Sequence, residues 1–474
     1  MPLQRQIYER FRTAIEQGAL RPGERVASAR SLASQLGVAR GTVEAAYQQL
    51  AGEGYLLARG QAGTVVSPSL PVQRLARRGG PRAEGAQESS ATAAPHAIGI
   101  GTTAPPLPLQ LGIPALDAFP RKLWSRLAAR RVRAMGPADM FYGDPAGHAP
   151  LREAIAAYLR VSRGVACDAA QVFVTGGYRA SLTLAARVLL APNDRVWIED
   201  PGFPPTQQVL QAAGLRVARV PVDAEGLRVD AGRRKAADAR MAVVTPSHQA
   251  PLGMSMSLAR RLQLLDWARQ ARAWIVEDDY DGEYRYAGAP LPALKSLDGH
   301  DRVLYAGSFS KVLYPGLALG YLVVPASQCD AFAEAARIGS NGCPQITQAI
   351  VADFMREGHF ARHLKKMRLL YARRRAMLAG ALQQAFGEAV AVELRHGGMH
   401  LIARFHGHGG HGEVAADDIE LARRAQAAGL QAQALSARGT AGLRVQGMLM
   451  GFTNVASEAE ARRIAKRLHA ALGL

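Results

Sequence analysis

The sequence has 474 residues and a formal net charge of +19 at pH 7, with 48% hydrophobic and 20% charged residues. This length predicts two or three domains, and the composition is that of a globular protein with a large core. The positive surplus favours polyanionic partners. Three cysteines without a CxxC pair argue against a disulfide framework and favour a reducing cytoplasm. No run reaches the roughly 18 apolar residues of a membrane span, so we expect a cytoplasmic protein.

The first predicted elements, over residues 1–67, are three helices and a hairpin. Ile7 and Ile15 belong to an apolar pattern with helical spacing. Ser28 is placed to cap a second helix, which stops at Gly37. A third helix, ARGTVEAAYQQLAGEG, is followed by YLLARGQAGTVV, whose two β-prone runs around a Gly-containing turn predict a wing. Together these elements predict a winged helix-turn-helix.

The basic residues of this segment predict DNA binding. Residues 1–78 hold eleven arginines, no lysine and five glutamates. Recognition helices place their N-terminal residues near base edges. We therefore expect DNA contacts from the start of the third helix, from the second helix and from the wing, at Arg40, Gly41, Thr42, Arg30, Gly63 and Thr64. The alternative is a helical module that binds protein and whose arginines are simply solvated.

The remaining chain predicts a linker and an α/β domain. Residues 68–97 are rich in Ala, Gly, Ser and Pro without periodic apolar positions, which predicts a flexible linker. Residues 98–474 alternate β-prone runs with amphipathic helices, which predicts a mostly parallel sheet with helices on both faces. The strand candidates are QVFVTGG, DRVWIEDP, LRVARVPVD, RMAVVTPS, AWIVEDDY, RVLYAGSFSK and ALGYLVVP. From about Gln345 the pattern becomes helical and ends in a smaller α+β portion containing GGMHLIARF.

Several short motifs in the α/β segment predict a cofactor site. Lys311 follows Ser308 and Ser310 closely in sequence. A lysine that forms an imine with an aldehyde cofactor needs hydroxyl groups nearby to bind the cofactor's phosphate, and these two serines could supply them. The motif EDDY closes a β-prone run and so places carboxylates at the C-terminal edge of the sheet. VTGGYRASL passes from a strand through two glycines into a helix, which predicts a phosphate cradle. EDPGF places Phe203 in a position to stack on a ring.

These motifs resemble two known families. GALRPGERVASARSLA nearly matches the opening motif of the GntR family of winged-helix regulators. YGDPAGHAPLR, EDPGF, TPSHQAP, EDDYDGEYRY and GSFSKVLYPGL, in this order, resemble fold-type I aminotransferases that depend on pyridoxal 5′-phosphate (PLP). The chain as a whole resembles the MocR (GabR-like) subfamily of GntR regulators. The resemblance implies a multidomain fold, with an α+β winged helix-turn-helix, then an α/β PLP-dependent transferase fold type I with a small C-terminal α+β subdomain.

The resemblance also implies a role for each candidate residue. Lys311 is expected to be the Schiff-base lysine, Asp278 to pair with the pyridine nitrogen and Tyr280 to contact the ring hydroxyl. The residues expected to contact the phosphate are Gly177, Tyr178, Ser308 and Ser310. Phe203 is expected to stack on the ring, and Tyr142 is expected to contact the phosphate bound by the neighbouring subunit. His248 lies close to the site without an assigned role. We expect no metal, because the three histidines of FHGHGGHG lack a cysteine or carboxylate partner.

The sequence departs from these families at four positions. Ala318 stands where the family has an arginine that grips the phosphate, and Tyr178 stands where it has a glutamine, with Arg179 as a candidate replacement charge. Leu449 stands where aminotransferases carry an arginine for the substrate carboxylate, and Pro205 where γ-aminobutyrate-responsive relatives carry another. These losses weaken an enzyme more than a sensor, because a sensor needs only differential binding between two conformations.

The sequence leaves three functions open. The favoured one is a homodimeric transcriptional regulator that binds a two-half-site operator and uses PLP on Lys311 to sense an amine, an amino acid or PLP itself. The second is a catalytically active PLP-dependent aminotransferase with a DNA-binding appendage. The third is a PLP-independent dimerisation scaffold. Turnover of amino donors and keto acceptors would identify the second, and operator binding that ignores PLP and every amine would identify the third.

Overall fold

The computed structural model describes residues 2–58, 63–68, 105–286, 292–339, 343–406, 417–440 and 445–473. The chain divides into two compact units, residues 1–102 and 103–474. Apart from Pro68, the expected linker over 68–97 lies outside the described residues, as do residues 407–412 of the histidine run. None of the described helices is long and apolar enough to cross a membrane.

The described residues of the N-terminal unit form three helices and a two-stranded antiparallel sheet, namely α1 (Leu3–Glu16), α2 (Ala29–Leu36), α3 (Arg40–Gly52), β1 (Leu56–Ala58) and β2 (Thr64–Val66). The Ser28 hydroxyl caps α2 by accepting a hydrogen bond from the Ser31 N–H, and Gly37 ends α2 in the left-handed conformation. Tyr47 of α3 packs edge-on against Phe11 of α1, with ring centroids 5.2 Å apart. The winged helix-turn-helix and both helix-end signals are therefore confirmed.

The larger unit is built on a mixed sheet. Its strands are β3 (Val172–Thr175), β4 (Arg195–Asp200), β5 (Arg216–Asp223), β6 (Gly226–Leu227), β7 (Met241–Val244), β8 (Trp274–Asp279), β9 (Val303–Ser308) and β10 (Gly320–Val323). Their order is β3-β10-β9-β8-β7-β4-β5-β6. Strand β10 runs antiparallel to both of its neighbours and β6 runs antiparallel to β5, whereas the other pairs are parallel. The strand candidates and the mostly parallel sheet are confirmed.

Helices cover both faces of this sheet, as the sequence predicts. They are α4 (Arg121–Ala134), α5 (Ala149–Ser162), α6 (Tyr178–Leu189), α7 (Pro204–Ala212), α8 (Val229–Lys235), α9 (Leu258–Ala271), α10 (Cys329–Gly339), α11 (Gln345–Arg356) and α12 (His359–Phe386). Successive side chains of a strand point to opposite faces. Phe173 and Ile198 accordingly pack into one apolar core, whereas their neighbours Val172, Val174 and Trp197 pack into cores on the other face.

The C-terminal portion forms a smaller α+β subdomain, as expected. Its sheet has the order β11-β12-β14-β13 and is antiparallel throughout. The elements are β11 (Val390–Glu393), β12 (His400–Phe405), α13 (Asp418–Ala427), β13 (Gln433–Ala434), β14 (Met448–Gly451) and α14 (Glu458–Leu472). Helix α14 packs against α12, which connects the subdomain to the helical region that follows the large sheet.

Candidate cofactor site and nucleic-acid interface

Lys311 lies on one helical turn that follows β9. The Phe309 N–H donates to the Leu319 carbonyl oxygen at 3.0 Å, and the Leu313 N–H donates to the Phe309 carbonyl oxygen at 2.8 Å. These two bonds fix the turn between β9 and β10. The Nζ of Lys311 donates to the carbonyl oxygen of Gly112 at 2.9 Å. The lysine is therefore held at the edge of the sheet where β9 ends.

The surroundings of Lys311 favour its uncharged form. Burial lowers the pKa of Lys311 below its ordinary value because the ammonium loses solvent, and the negative charges of Asp281 and Asp278 oppose that shift. At a given pH, more of this side chain is free amine than in an exposed lysine. The free amine is the form that attacks an aldehyde.

The two aspartates that end β8 have different partners. Asp279 forms an ion pair with Arg163 and accepts a hydrogen bond from the Tyr305 hydroxyl at 2.5 Å. Asp278 is 6% exposed, and its carboxylate receives no hydrogen bond from the described residues. Burial, reinforced by the neighbouring carboxylates, raises the pKa of Asp278 well above its ordinary value. The carboxylate of Asp278 therefore has capacity for a further partner, such as the N–H of a protonated pyridine.

Strand β10 brings the phosphate candidates together. Its first residue, Gly320, lies opposite Thr175 at the end of β3 and opposite Ser308 at the end of β9. A Cβ on Gly320 would lie 2.9 Å from the Cα of Gly177 and 2.9 Å from the carbonyl oxygen of Gly307. Glycine at position 320 therefore permits the two loops to approach each other.

The N-terminus of α6 is uncapped and sterically open. Gly177, at φ +100°, precedes the helix without a side-chain cap, and no heavy atom lies within 4 Å of the position of a Cβ on it. The N–H groups of a helix N-terminus bind phosphate well. The N–H of Ser310 donates to the Ser308 hydroxyl at 3.2 Å, which orders the two serines around Lys311. This set of donors fits the phosphate group of PLP.

Tyr178 and Phe203 form an aromatic wall near the same edge. Their ring centroids are 6.1 Å apart, and with Glu199 they line a small cavity. The Tyr178 hydroxyl lies 2.7 Å from the Thr206 hydroxyl. The backbone N–H of Tyr178, in the first turn of α6, has no partner within the helix and is a candidate donor for an anion.

His248 positions Tyr280. Its Nδ1 lies 2.9 Å from the Tyr280 hydroxyl and 3.1 Å from Oδ1 of Asp281. His248 is 5% exposed, and its Nε2 has no hydrogen-bond partner among the described residues. The sequence left the role of His248 open, and the structure shows that it contacts the residue expected at the ring hydroxyl.

Tyr142 is not part of this cluster within one chain. Its side chain is 92% exposed, and the adjacent Phe141 and Met140 are 74% and 72% exposed. Three large exposed apolar side chains in a row are unusual for a free surface.

Two of the positions at which the sequence departs from the family motifs, Ala318 and Leu449, have a clear structural setting. Ala318 adopts the left-handed conformation at φ +47° beside the start of β10. Leu449 is fully buried in an apolar cluster with Leu252, Ile402 and Leu435, so it offers no charge to a carboxylate.

Arg438 and His400 are site candidates that the sequence did not indicate. Arg438 is 7% exposed, forms no ion pair with a described carboxylate, and its carbonyl oxygen accepts a hydrogen bond from the Gly202 N–H at 3.3 Å. Burial lowers the pKa of Arg438 to about 10. The His400 ring lies 5.5 Å from that of His248, and burial lowers its pKa to about 4. Neither residue belongs to a recognised motif, so only tertiary contacts identify them.

The candidate DNA contacts of the helices lie on the surface of the N-terminal unit. Arg30 and Gly41 are exposed and Thr42 is half-buried. The Arg40 side chain is 66% exposed, and its Nε donates to Oε1 of Glu44 at 2.7 Å. The start of α3 therefore presents an arginine to solvent, together with the carboxylate that pairs with it.

Arg25 extends this basic surface to the wing. A Cβ on Gly63, which has φ +87°, would lie 2.9 Å from Nε of Arg25. The exposed guanidinium thus rests against the loop that leads into Thr64 and β2. Arg25 was not a predicted site residue, because its place against the wing depends on a contact between segments about 40 residues apart in sequence.

Two family models match the chain. Residues 3–66 match the bacterial regulatory proteins of the gntR family, and residues 111–446 match aminotransferase class I and II. The chain is 37% identical to the probable rhizopine catabolism regulatory protein MocR of Rhizobium meliloti, over 96% of this chain and 91% of that protein. It is 35% identical to the pyridoxine biosynthesis transcriptional regulator PdxR of Corynebacterium glutamicum, over 84% of this chain and 82% of that protein.

Solved structures of aminotransferases share the fold of the larger unit. Kynurenine aminotransferase of Pyrococcus horikoshii covers 78% of this chain and 91% of its own, with a TM-score of 0.68 and 26% identity. The α-aminoadipate aminotransferase LysN of Thermus thermophilus covers 77% and 93%, with a TM-score of 0.67 and 26% identity. The resemblance drawn from the sequence motifs is thereby confirmed. The chain belongs to the MocR-type transcriptional regulators of the GntR family, which join a winged helix-turn-helix to an aminotransferase class I and II domain.

Proposed function

We propose that this regulator acts as a homodimer that binds its operator through the N-terminal unit and holds PLP on Lys311 as a sensor. The observation that carries the proposal is the amine of lowered pKa, Lys311, beside the buried carboxylate of Asp278, which has no donor in the described part of the chain. The effector is an amine, an amino acid or PLP itself. Differential affinity of that effector for two conformations changes operator affinity.

Each side chain of the site has a distinct task. PLP supplies an aldehyde that reacts with amines and a pyridine ring that accepts electrons. Lys311 would hold the cofactor through its amine, Asp278 would keep the ring nitrogen protonated, and Tyr280, positioned by His248, would contact the ring hydroxyl. Gly177, Tyr178, Ser308 and Ser310 would bind the phosphate, and Phe203 would offer a face to the ring.

The relatives support this assignment of cofactor and effector. The Pyrococcus horikoshii structure is a complex with PMP, and the Thermus thermophilus structure holds N-(5'-phosphopyridoxyl)-L-leucine. PdxR is named for pyridoxine biosynthesis, which supports a B6 vitamer such as PLP as effector. The buried Leu449 in place of a carboxylate-binding arginine argues against amino acid turnover.

The exposed segment around Tyr142 supports a dimer. Met140, Phe141 and Tyr142 together present apolar surface that a second copy would bury. In that arrangement Tyr142 reaches the phosphate held by the neighbouring subunit. Two DNA-binding units per dimer then require two operator half-sites. Contacts to the half-site come from Arg30, Arg40, Gly41, Thr42, Gly63 and Thr64.

Absorption spectroscopy tests the covalent attachment. Purified protein titrated with PLP should develop a visible band that borohydride removes, and Lys311→Ala should not develop it. Peptide mapping after borohydride reduction locates the labelled lysine. Lys295 is an internal control, because burial lowers the pKa of this lysine as well. The label is expected on Lys311 and not on Lys295. No reducible band at saturating PLP would refute the covalent sensor and would favour a PLP-independent scaffold.

Operator binding provides the second half of the test. Operator affinity should change when PLP, or an amine added to the PLP-loaded protein, occupies the site. The Lys311→Ala protein should bind the operator without that response. Equal responses in both proteins would contradict the role of Lys311 as the sensing residue.

A further inference from the structure

Arg438 is a buried arginine whose charge is not neutralised. Its side chain belongs to a residue that is 7% exposed, and no described carboxylate forms an ion pair with it. Burial lowers the pKa of Arg438 to about 10, and no described carboxylate opposes that shift. A buried charge without a partner is costly, so such groups normally meet an ion of opposite charge. Arg438 is therefore a candidate binding group for an anion.

Two guanidinium nitrogens of Arg438 remain available to a ligand. Nη2 donates to Oε1 of Gln433, whereas Nε and Nη1 donate to no described residue. Unlike Nε of Arg163, these two nitrogens are not buried atoms without a partner, because each keeps some exposed surface. Both can therefore be reached by a molecule that approaches the loop after β13.

The small antiparallel sheet places this guanidinium next to Leu449. Leu449 on β14 lies directly opposite Gln433 on β13 and directly opposite Ile402 on β12. Directly opposite residues of antiparallel strands have their side chains on the same face of the sheet. Gln433, which holds the guanidinium of Arg438, thus shares a face with Leu449, the position at which aminotransferases carry an arginine for the substrate carboxylate. Arg438 brings a cation to this face from a neighbouring strand end.

This face of the small sheet lies close to the candidate Schiff-base lysine. Leu111 packs against the apolar cluster that contains Leu449. The carbonyl oxygen of the next residue, Gly112, accepts the hydrogen bond from Nζ of Lys311. One short segment therefore connects the surroundings of Leu449 with the amine of Lys311.

The loop that carries Arg438 is also fixed to the aromatic wall of the cofactor site. The carbonyl oxygen of Arg438 accepts a hydrogen bond from the Gly202 N–H at 3.3 Å, and Gly202 precedes Phe203. Two residues further on, the Thr440 N–H donates to Oδ1 of Asp200 at 2.9 Å. These bonds hold the loop beside the residue that is expected to stack on the ring.

We propose that Arg438 binds the carboxylate of the effector, so that the effector is an amino acid and not a simple amine or PLP alone. The inference rests on the proposed function, because it assigns the effector class of the same site. The amino group of such a molecule lies towards Lys311, and its carboxylate accepts hydrogen bonds from Nε or Nη1 of Arg438. A simple amine leaves the buried guanidinium without an anion and binds more weakly. Arg438 determines specificity in this way without any turnover.

Spectral titration of the PLP-loaded full-length protein tests this role. The probes are L-alanine and β-alanine, each compared with ethylamine, and 4-aminobutyrate, compared with propylamine. We expect at least one acid to shift the visible band at a lower concentration than its matched amine. Arg438→Gln should weaken binding of that acid about tenfold or more, on the scale of a hydrogen bond to a charged group, and should leave the affinity for the amine unchanged. Arg438→Lys, which keeps the charge, should restore part of the affinity for the acid.

Two further measurements separate a specificity role from a structural one. Arg438→Gln should form the visible band with PLP as the wild type does and should keep its midpoint of urea denaturation, because removal of this cation leaves no described carboxylate unpaired. Arg423→Gln is the matched control in the same subdomain. It removes an exposed arginine that is paired with Glu420 and should leave the affinity for the acid unchanged.

The outcomes distinguish this inference from the proposed function on which it rests. Wild-type protein that forms no visible band at saturating PLP would contradict both. A normal band with no acid bound more tightly than its amine would overturn this inference alone, and so would an Arg438→Gln protein that binds the acid as tightly as the wild type. A large fall in the urea midpoint of Arg438→Gln would assign Arg438 a structural role and would overturn the inference as well.

Discussion

Lys311 Nζ donates a hydrogen bond to the carbonyl oxygen of Gly112, a residue 199 positions earlier in the chain, at 2.9 Å. Gly112 has φ +70°, and a Cβ there would lie 2.8 Å from Nζ. The segment that precedes α4 therefore packs against the side chain of Lys311. A glycine at position 112 leaves the space that the amine occupies. Gly112 therefore helps to fix the position of the Lys311 amine.

Gly112→Ala should impair PLP capture. The added methyl group displaces Nζ and strains a left-handed backbone position, at a cost of about 1–2 kcal/mol. We expect the apparent affinity for PLP, measured from the visible band, to fall about tenfold. Gly316→Ala is the control, because the nearest atom to its Cβ would be 3.8 Å away, in ordinary contact. Equal effects of the two substitutions would show that the Gly112 contact is unimportant.

Asp281→Asn should shift the pH dependence of PLP capture to lower pH. Burial lowers the pKa of Lys311, and Asp281 is the first of two carboxylates that oppose this shift. Removing its charge lowers the pKa of Lys311 further, so the free amine forms at lower pH. The midpoint of band formation against pH measures this shift. Asp266→Asn, on the exposed surface of α9, should leave the midpoint in place, and an upward shift for Asp281→Asn would contradict the mechanism.

Arg163→Met should destabilise the larger unit strongly. The side chains of Arg163 and Asp279 are 4% and 1% exposed, so the substitution leaves a buried carboxylate without its cation. Breaking such a pair costs about 3–5 kcal/mol. Urea denaturation followed by circular dichroism measures the loss. Arg269→Met breaks an exposed pair with Asp266 and should cost less than about 1 kcal/mol.

Glu44→Gln should strengthen operator binding. Glu44 holds the Arg40 guanidinium at the start of α3 and places a negative charge where DNA is expected. Its removal frees Arg40 for a phosphate or a base, and we expect affinity to rise about two- to fivefold at low salt. Fluorescence anisotropy with a labelled operator measures the change. Glu9→Gln frees Arg5 from a similar pair on α1, and a comparable gain there would mean that only net charge matters.

Local signals in the sequence were sufficient for the elements and for the chemistry of individual residues. Ser28 and Gly37 mark the ends of α2 because a hydroxyl cap and a left-handed glycine act within one turn of the helix. The strand candidates were recoverable because apolar runs bounded by turn residues form a short-range pattern. Lys311, close to two serines, and the aspartates that end β8 were identifiable for the same reason.

Tertiary structure alone decided which of these groups meet. The place of β10 between β3 and β9 puts Gly320 beside Gly177, and no local pattern encodes that order of strands. Of two adjacent aspartates, Asp279 meets Arg163, which is far away in sequence, whereas the carboxylate of Asp278 has no donor among the described residues. The pKa of Lys311 likewise depends on burial and on the charged neighbours Asp281 and Asp278. Desolvation and ion pairing are properties of the folded environment, which sequence spacing does not specify.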